Sequence, residues 1–87
     1  MPTVWIPALV RNLTGGTESV PVAGSSLREL TDALEERYPG IKARLCDGSD
    51  VRSGLAVVID GQVSREGLSA EVKEDSEVHF IPAIGGG

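Results

Sequence analysis

One α+β domain, a mixed sheet of four to five strands packed on one main helix, is the fold this sequence predicts. Three features predict it. A strong helix start at Ser26 opens a single amphipathic stripe, apolar β-branched runs lie on both sides of it, and 87 residues leave room for one thin core. One helix and one sheet each need an apolar face covered, so each covers the other.

The elements follow in order. Residues 3–10 begin with Thr3-Val4-Trp5-Ile6 and read as a first strand, ended or bent near Pro7, which has no N–H to give a ladder. Gly15-Gly16 mark a turn. Residues 17–22 alternate, with Ser19 and Pro21 between Glu18, Val20 and Val22, which predicts a second strand in a hairpin with the first. Ser26-Leu27-Arg28-Glu29 matches the S-x-x-E capping box, in which the serine oxygen and the glutamate side chain satisfy each other's backbone N–H groups. Leu27, Leu30, Leu34 and Tyr38, with Ala33 beside them, then form one helical stripe. Pro39-Gly40 stops the helix, and Ile41 and Leu45 predict a short helical turn that plugs one end of the core.

Residues 46–54, rich in Gly, Ser and Asp, read as a loop. Residues 55–59 are a strand with Leu55, Val57 and Ile59 on one face; Asp60-Gly61 is a tight-turn dipeptide, and Gln62-Val63 returns. Leu68 and Val72 are isolated apolar anchors, and residues 73–76 turn into a last strand over 78–82. In that strand Val78 and Phe80 share one face, and His79 and Ile81 the other. A hairpin, a crossing helix and a late strand returning beside the first describe a β-grasp. The domain is expected to occupy residues 1–82, with residues 83–87 expected to form a flexible tail ending in Gly-Gly.

Composition narrows the function. Thirteen acidic and eight basic residues give a net charge of −5, which argues against nucleic acid and membrane surfaces as partners. Cys46 is the only cysteine, so neither an internal disulfide nor a four-cysteine metal site is available. No run approaches the ~20 apolar residues of a membrane span, and the chain reads as cytoplasmic. No enzyme constellation is expected. His79 is the sole histidine and lies in a strand, Ser25 and Ser26 are explained by helix capping, and Gly15-Gly16 lack the lysine of a phosphate loop. Asp47, Asp50 and Asp60 lack calcium-loop spacing. Cys46 sits beside Asp47 and Asp50, which are expected to raise its pKa and make it a poor nucleophile. No catalytic residue, metal ligand or bound cofactor is predicted.

The carboxyl end remains. Gly85-Gly86-Gly87 offer no side chain to bury, yet they let a thin thread enter a narrow tunnel in another protein. Extended, residues 83–87 reach roughly 17 Å. An α-carboxylate is ionised at neutral pH and is a poor electrophile. Transfer to AMP from ATP would turn it into a mixed anhydride, and a sulfur nucleophile could then leave a thiocarboxylate. Ile81, Pro82, Ala83 and Ile84 are the expected apolar dock beside the thread; Trp5, of opposite parity from Val4 and Ile6, either contributes to it or packs in the core.

The whole chain resembles the ubiquitin-like sulfur carriers of the MoaD/ThiS family. The matching residues are Val4-Trp5-Ile6-Pro7-Ala8-Leu9-Val10-Arg11-Asn12-Leu13 and the segment from Asp75 through Val78-His79-Phe80-Ile81-Pro82-Ala83-Ile84 to Gly87. Within the family, Ile6-Pro7, Leu13-Thr14-Gly15-Gly16 and Ile81-Pro82-Ala83 are most similar to the cysteine-biosynthetic carriers. The resemblance implies a β-grasp protein with no catalysis of its own. It implies an E1-like adenylating partner of the MoeB/ThiF type that uses ATP and magnesium to activate Gly87, where sulfur is then installed. Gly85 and Gly86 would enter that partner's active site. It further implies a sulfur-accepting enzyme such as a PLP-dependent cysteine synthase, and a JAMM-type metalloprotease to release the product. One departure is Gly85, where related carriers often have a larger residue. Molybdopterin, thiamine or thiolated natural-product synthesis stay open as pathways. So does a different class, a modifier joined to lysines through Gly87, and so does a plain interaction module with an idle tail.

Overall fold

The computed structural model describes residues 1–82. Strand β1 (Thr3–Trp5) and strand β2 (Ser19–Pro21) form an antiparallel hairpin, followed by helix α1 (Leu27–Arg37) and helix α2 (Ile41–Leu45). A small hairpin of β3 (Cys46–Asp47) and β4 (Asp50–Val51) follows. Strands β5 (Leu55–Ile59), β6 (Gln62–Ser64) and β7 (Glu77–Pro82) complete the chain. The main sheet has the order β2-β1-β7-β5-β6. Its one parallel pair, β1 with β7, lies at the centre, with Val4 opposite Val78 and Trp5 opposite His79. This is the β-grasp topology expected from the element order.

The alternation of strand side chains builds the core. Val4, Val20, Val57, Val78 and Phe80 point to the helix side and are buried. They meet Leu27, Leu30 and Leu34 from α1, all fully buried. Ile41 and Leu45 are also fully buried, so α2 plugs the core as expected. Leu68 and Val72 are buried anchors of the long connection before β7.

Three local expectations need correction. The first strand, expected to end or bend near Pro7, ends at Trp5, but the residues after Pro7 form a 3-10 helix, Ala8–Thr14, that the sequence reading did not foresee. Pro7 caps that helix in extended geometry at φ −66° and cannot donate to a ladder, so the apolar run turns. Val10 is thereby carried to full burial, while Leu9 stays exposed. The 46–54 loop contains the β3–β4 hairpin, because Cys46 and Val51 pair across a turn in which Gly48 has φ +68°. The capping box is only half formed. The Glu29 N–H donates to Ser26 Oγ at 3.3 Å, but the Glu29 carboxylate accepts from Ser25 N at 2.9 Å and Ser25 Oγ at 3.2 Å. Residues 25–27 pair with residues 70–72 through Val72 N–H to Ser25 O and Leu27 N–H to Ala70 O, which fixes how Ser25 is presented to Glu29.

Candidate functional site

Strand β7 leads toward the glycine tail and sets which surface accompanies it. Of the expected dock, Ile81 is 41% exposed on the sheet face away from α1, and Pro82 is exposed at the strand end opposite Leu55. Ala83, Ile84, Gly85, Gly86 and Gly87 lie outside the described residues.

Beside Ile81, the outer face of the sheet carries a largely apolar row across four strands, flanked by Thr3 and Glu77. Trp5 on β1 stacks on His79 of β7, with ring centroids 5.3 Å apart and planes 4° from parallel. Trp5 Nε1 donates to Glu77 Oε1 at 3.0 Å, so β7 supplies both the ring stacked on the indole and the acceptor of its N–H. His79 lies opposite Val58 of β5, Val58 lies opposite Val63 of β6, and Ile81 lies opposite Ala56. Val63 is 62% exposed. Leu55 and Ile59 pack on the core with Val57, whereas Ala56 and Val58 face outward. His79 therefore occupies the face its parity predicted, and Trp5, for which dock and core were both open, joins it there. Ala56, Val58 and Val63 were missed as part of it. Their signal was present: a strand apolar at both parities, in a sheet with a helix on one face only, leaves apolar surface for something else to cover.

The remaining candidates are structural. Cys46 is buried, and burial is the main cause that pushes its thiol pKa up, with a Thr31 hydrogen bond opposing it. The expected direction holds, but the cause is desolvation rather than Asp47 and Asp50. Asp60 and Ser76 meet at 2.8 Å, but as a clamp: Asp60 also accepts from the Glu77 N–H at 2.9 Å, and Ser76 Oγ accepts from the Lys73 N–H at 2.8 Å. The Glu77 N–H first, and the Ser76 hydroxyl second, hold the Asp60 carboxyl below the usual range. A groove of about 600 Å³ beside β6 is lined by Asp60, Arg65, Glu66, Glu71 and Lys73, a mixed-charge wall without a histidine or cysteine. Among the described residues no cluster of three or more His, Cys, Asp and Glu could hold a metal ion. No described helix is long and apolar enough to cross a membrane.

Comparisons with known proteins place the chain in a family. The ThiS family model matches residues 4–87. The chain belongs to the ThiS family. It is 32% identical to the sulfur carrier protein CysO of Mycobacterium tuberculosis over 90 residues, covering 98% of this chain and 97% of that one. It is 30% identical to the molybdopterin synthase sulfur carrier subunit of Phaeosphaeria nodorum, covering 92% and 83%. Among solved structures, a chain of the Amycolatopsis orientalis BexX/CysO complex matches with a TM-score of 0.90 and 37% identity over the full length of both. Small archaeal modifier protein 1 of Methanosarcina acetivorans matches with a TM-score of 0.79 at 24% identity, covering 99% and 95%, and shares the fold. This ThiS-family chain is thus a small sulfur carrier of the CysO/MoaD type rather than an enzyme.

Proposed function

We propose that this carrier holds sulfur as a thiocarboxylate on Gly87. A carboxylate oxygen of Gly87 attacks the α-phosphorus of ATP, pyrophosphate leaves, and an acyl adenylate forms. A sulfur nucleophile then displaces AMP, and the terminal C–O(AMP) bond is replaced by C–S. ATP and magnesium belong to the adenylating partner, as do the groups that stabilise the developing charge. This chain contributes the bare acyl end and the surface that positions it.

The observation that carries this reading is the continuity of the outer face with β7. The apolar surface around Trp5, His79 and Val58 runs into Ile81 and Pro82, from which five further residues lead to Gly87. With a reach of roughly 17 Å, whatever activates Gly87 sits against this end of the domain. Ile81, Pro82, Ala83 and Ile84 are the proposed dock, and Gly85 and Gly86 thread the partner's active site. Cysteine biosynthesis is the favoured pathway, supported by the CysO matches that span nearly all of both chains. In it the thiocarboxylate sulfur would attack an activated serine derivative on a PLP-dependent enzyme, and a metalloprotease would free the product. A second reading, the sulfur-carrying subunit of molybdopterin synthase, has the relative at 30% identity in its favour.

Deleting Gly86 and Gly87 is expected to leave the melting temperature unchanged and to abolish sulfur loading. Intact mass spectrometry after incubation with the adenylating enzyme, ATP and sulfide checks this. Loading of the truncated chain would refute the assignment to Gly87. Lysine-linked adducts of the full chain would favour a protein modifier.

A further inference from the structure

We propose that Asp47-Gly48 is a site of spontaneous isoaspartate formation in the folded chain, and that the fold shields Asp60-Gly61, the same dipeptide, from that reaction. The chain has two Asp-Gly pairs, and its other aspartates precede Ala33, Val51 and Ser76. Glycine is the most permissive neighbour, because no side chain hinders its amide nitrogen from reaching the aspartate carboxyl. In both pairs the aspartate and the glycine are exposed, and Gly48 and Gly61 have positive φ with open space where a Cβ would stand. Exposure and sequence therefore do not separate the two pairs; hydrogen bonding does. The Asp60 N–H donates to the Glu77 carbonyl at 2.9 Å, and the Asp60 carboxylate accepts from the Glu77 N–H and the Ser76 hydroxyl. Asp47 pairs with Asp50 across the two-residue strands β3 and β4, and among the described residues its carboxylate accepts no hydrogen bond.

The reaction needs no partner and no oxidant. The Gly48 amide nitrogen attacks Asp47 Cγ, the carboxyl C–OH bond breaks, and the amide proton leaves with that hydroxyl as water. A cyclic succinimide results, and water then adds back at one of its two carbonyls. Breaking the bond from Cγ to nitrogen restores aspartate. Breaking the bond from the backbone carbonyl carbon to nitrogen leaves the main chain running through Cγ, with the α-carboxylate as the side group. The carboxyl must be neutral to lose its hydroxyl, so hydrogen bonds that favour the carboxylate slow the first step. At Asp60 the Glu77 N–H and the Ser76 hydroxyl act in this way and hold its carboxyl below the usual range. Both bonds must also break before that carboxyl can turn to the Gly61 nitrogen. At Asp47 the restraint is a hairpin of two residues a side, outside the five-stranded sheet. Such short pairings open locally at little cost. Isomerisation there adds one methylene to the main chain beside Cys46, and the Asp47–Asp50 pair loses its register.

The test uses the full chain, warmed at neutral pH and sampled over time. The product has the mass of the starting chain, so the readout is peptide separation with electron-transfer fragmentation. Trypsin cleavage after Arg44, Arg52 and Arg65 puts Asp47 and Asp60 in separate peptides, residues 45–52 and 53–65. In the folded chain isoaspartate is expected to accumulate about tenfold faster at Asp47 than at Asp60. In concentrated urea, where the fold no longer distinguishes the two pairs, the rates are expected to come within about twofold of each other. Equal rates in the folded chain, or faster reaction at Asp60, would overturn the proposal. So would a difference of the same size that persists in urea, because neighbouring sequence rather than hydrogen bonding would then set it. A folded chain that forms no isoaspartate at Asp47 while the urea sample forms it would equally rule the site out.

Discussion

Asp60 shows how a single exposed side chain ties the sheet together. It adopts φ +51°, closing the β5–β6 turn, and its carboxylate holds Ser76 and the Glu77 N–H at the start of β7. Because those bonds favour the ionised form, its pKa is lowered on folding. Stability from such a group is present above its unfolded pKa and is lost as pH falls through the folded one. Glu35, which accepts from the Gly40 and Lys42 N–H groups, and Glu74, paired with the Met1 amino group, are lowered as well and act in the same direction. The melting temperature is therefore expected to fall as pH drops below about 4, the ordinary carboxylate range. Asp60→Asn is expected to melt lower at neutral pH and to lose less on acidification, so that the two melting curves converge in acid. Parallel curves would contradict this role for Asp60.

At the scale of the element, α1 owes its position to a cap and a stripe. Leu34→Ala removes a fully buried side chain facing the sheet and is expected to cost about 2–5 kcal/mol. Ser26→Ala removes the acceptor for the Glu29 N–H and is expected to cost about 1 kcal/mol. Chemical denaturation of both variants checks the ranking. The same helix marks how far the sequence could be read. Its stripe and start are set by neighbours three and four residues away, so they are legible locally. The destination of the Glu29 carboxylate is not, because it depends on the pairing of residues 25–27 with residues 70–72, far along the chain. The 3-10 helix at Ala8–Thr14 is a similar case. Pro7 signals a break, but only burial of Val10 and Leu13 against the assembled core chooses a helix over a bent strand.

At the scale of the whole molecule, the fold turns two faces of one sheet to different ends. The inner face, with α1 and α2, accounts for stability. The outer face, centred on Trp5, His79, Val58 and Ile81, has no covering element among the described residues. Sequence parity located His79 and Ile81 on that face, because each follows from its own strand, and left Trp5 between that face and the core. It did not reveal the row as a surface, since that needs the order β1-β7-β5-β6, which joins residues more than fifty positions apart. Thus the apolar parity of Ala56, Val58 and Val63 was there to be read, but the row that joins them to Trp5 and His79 exists only once the sheet is assembled. The central claim, that this surface serves a reactive acyl end on Gly87, is tested most directly by intact mass of the full chain after incubation with its adenylating enzyme, ATP and sulfide. The account predicts a gain equal to one oxygen-to-sulfur exchange, localised to Gly87 by fragmentation. An unchanged terminus in the presence of an enzyme that demonstrably activates another carrier from the same organism would contradict it.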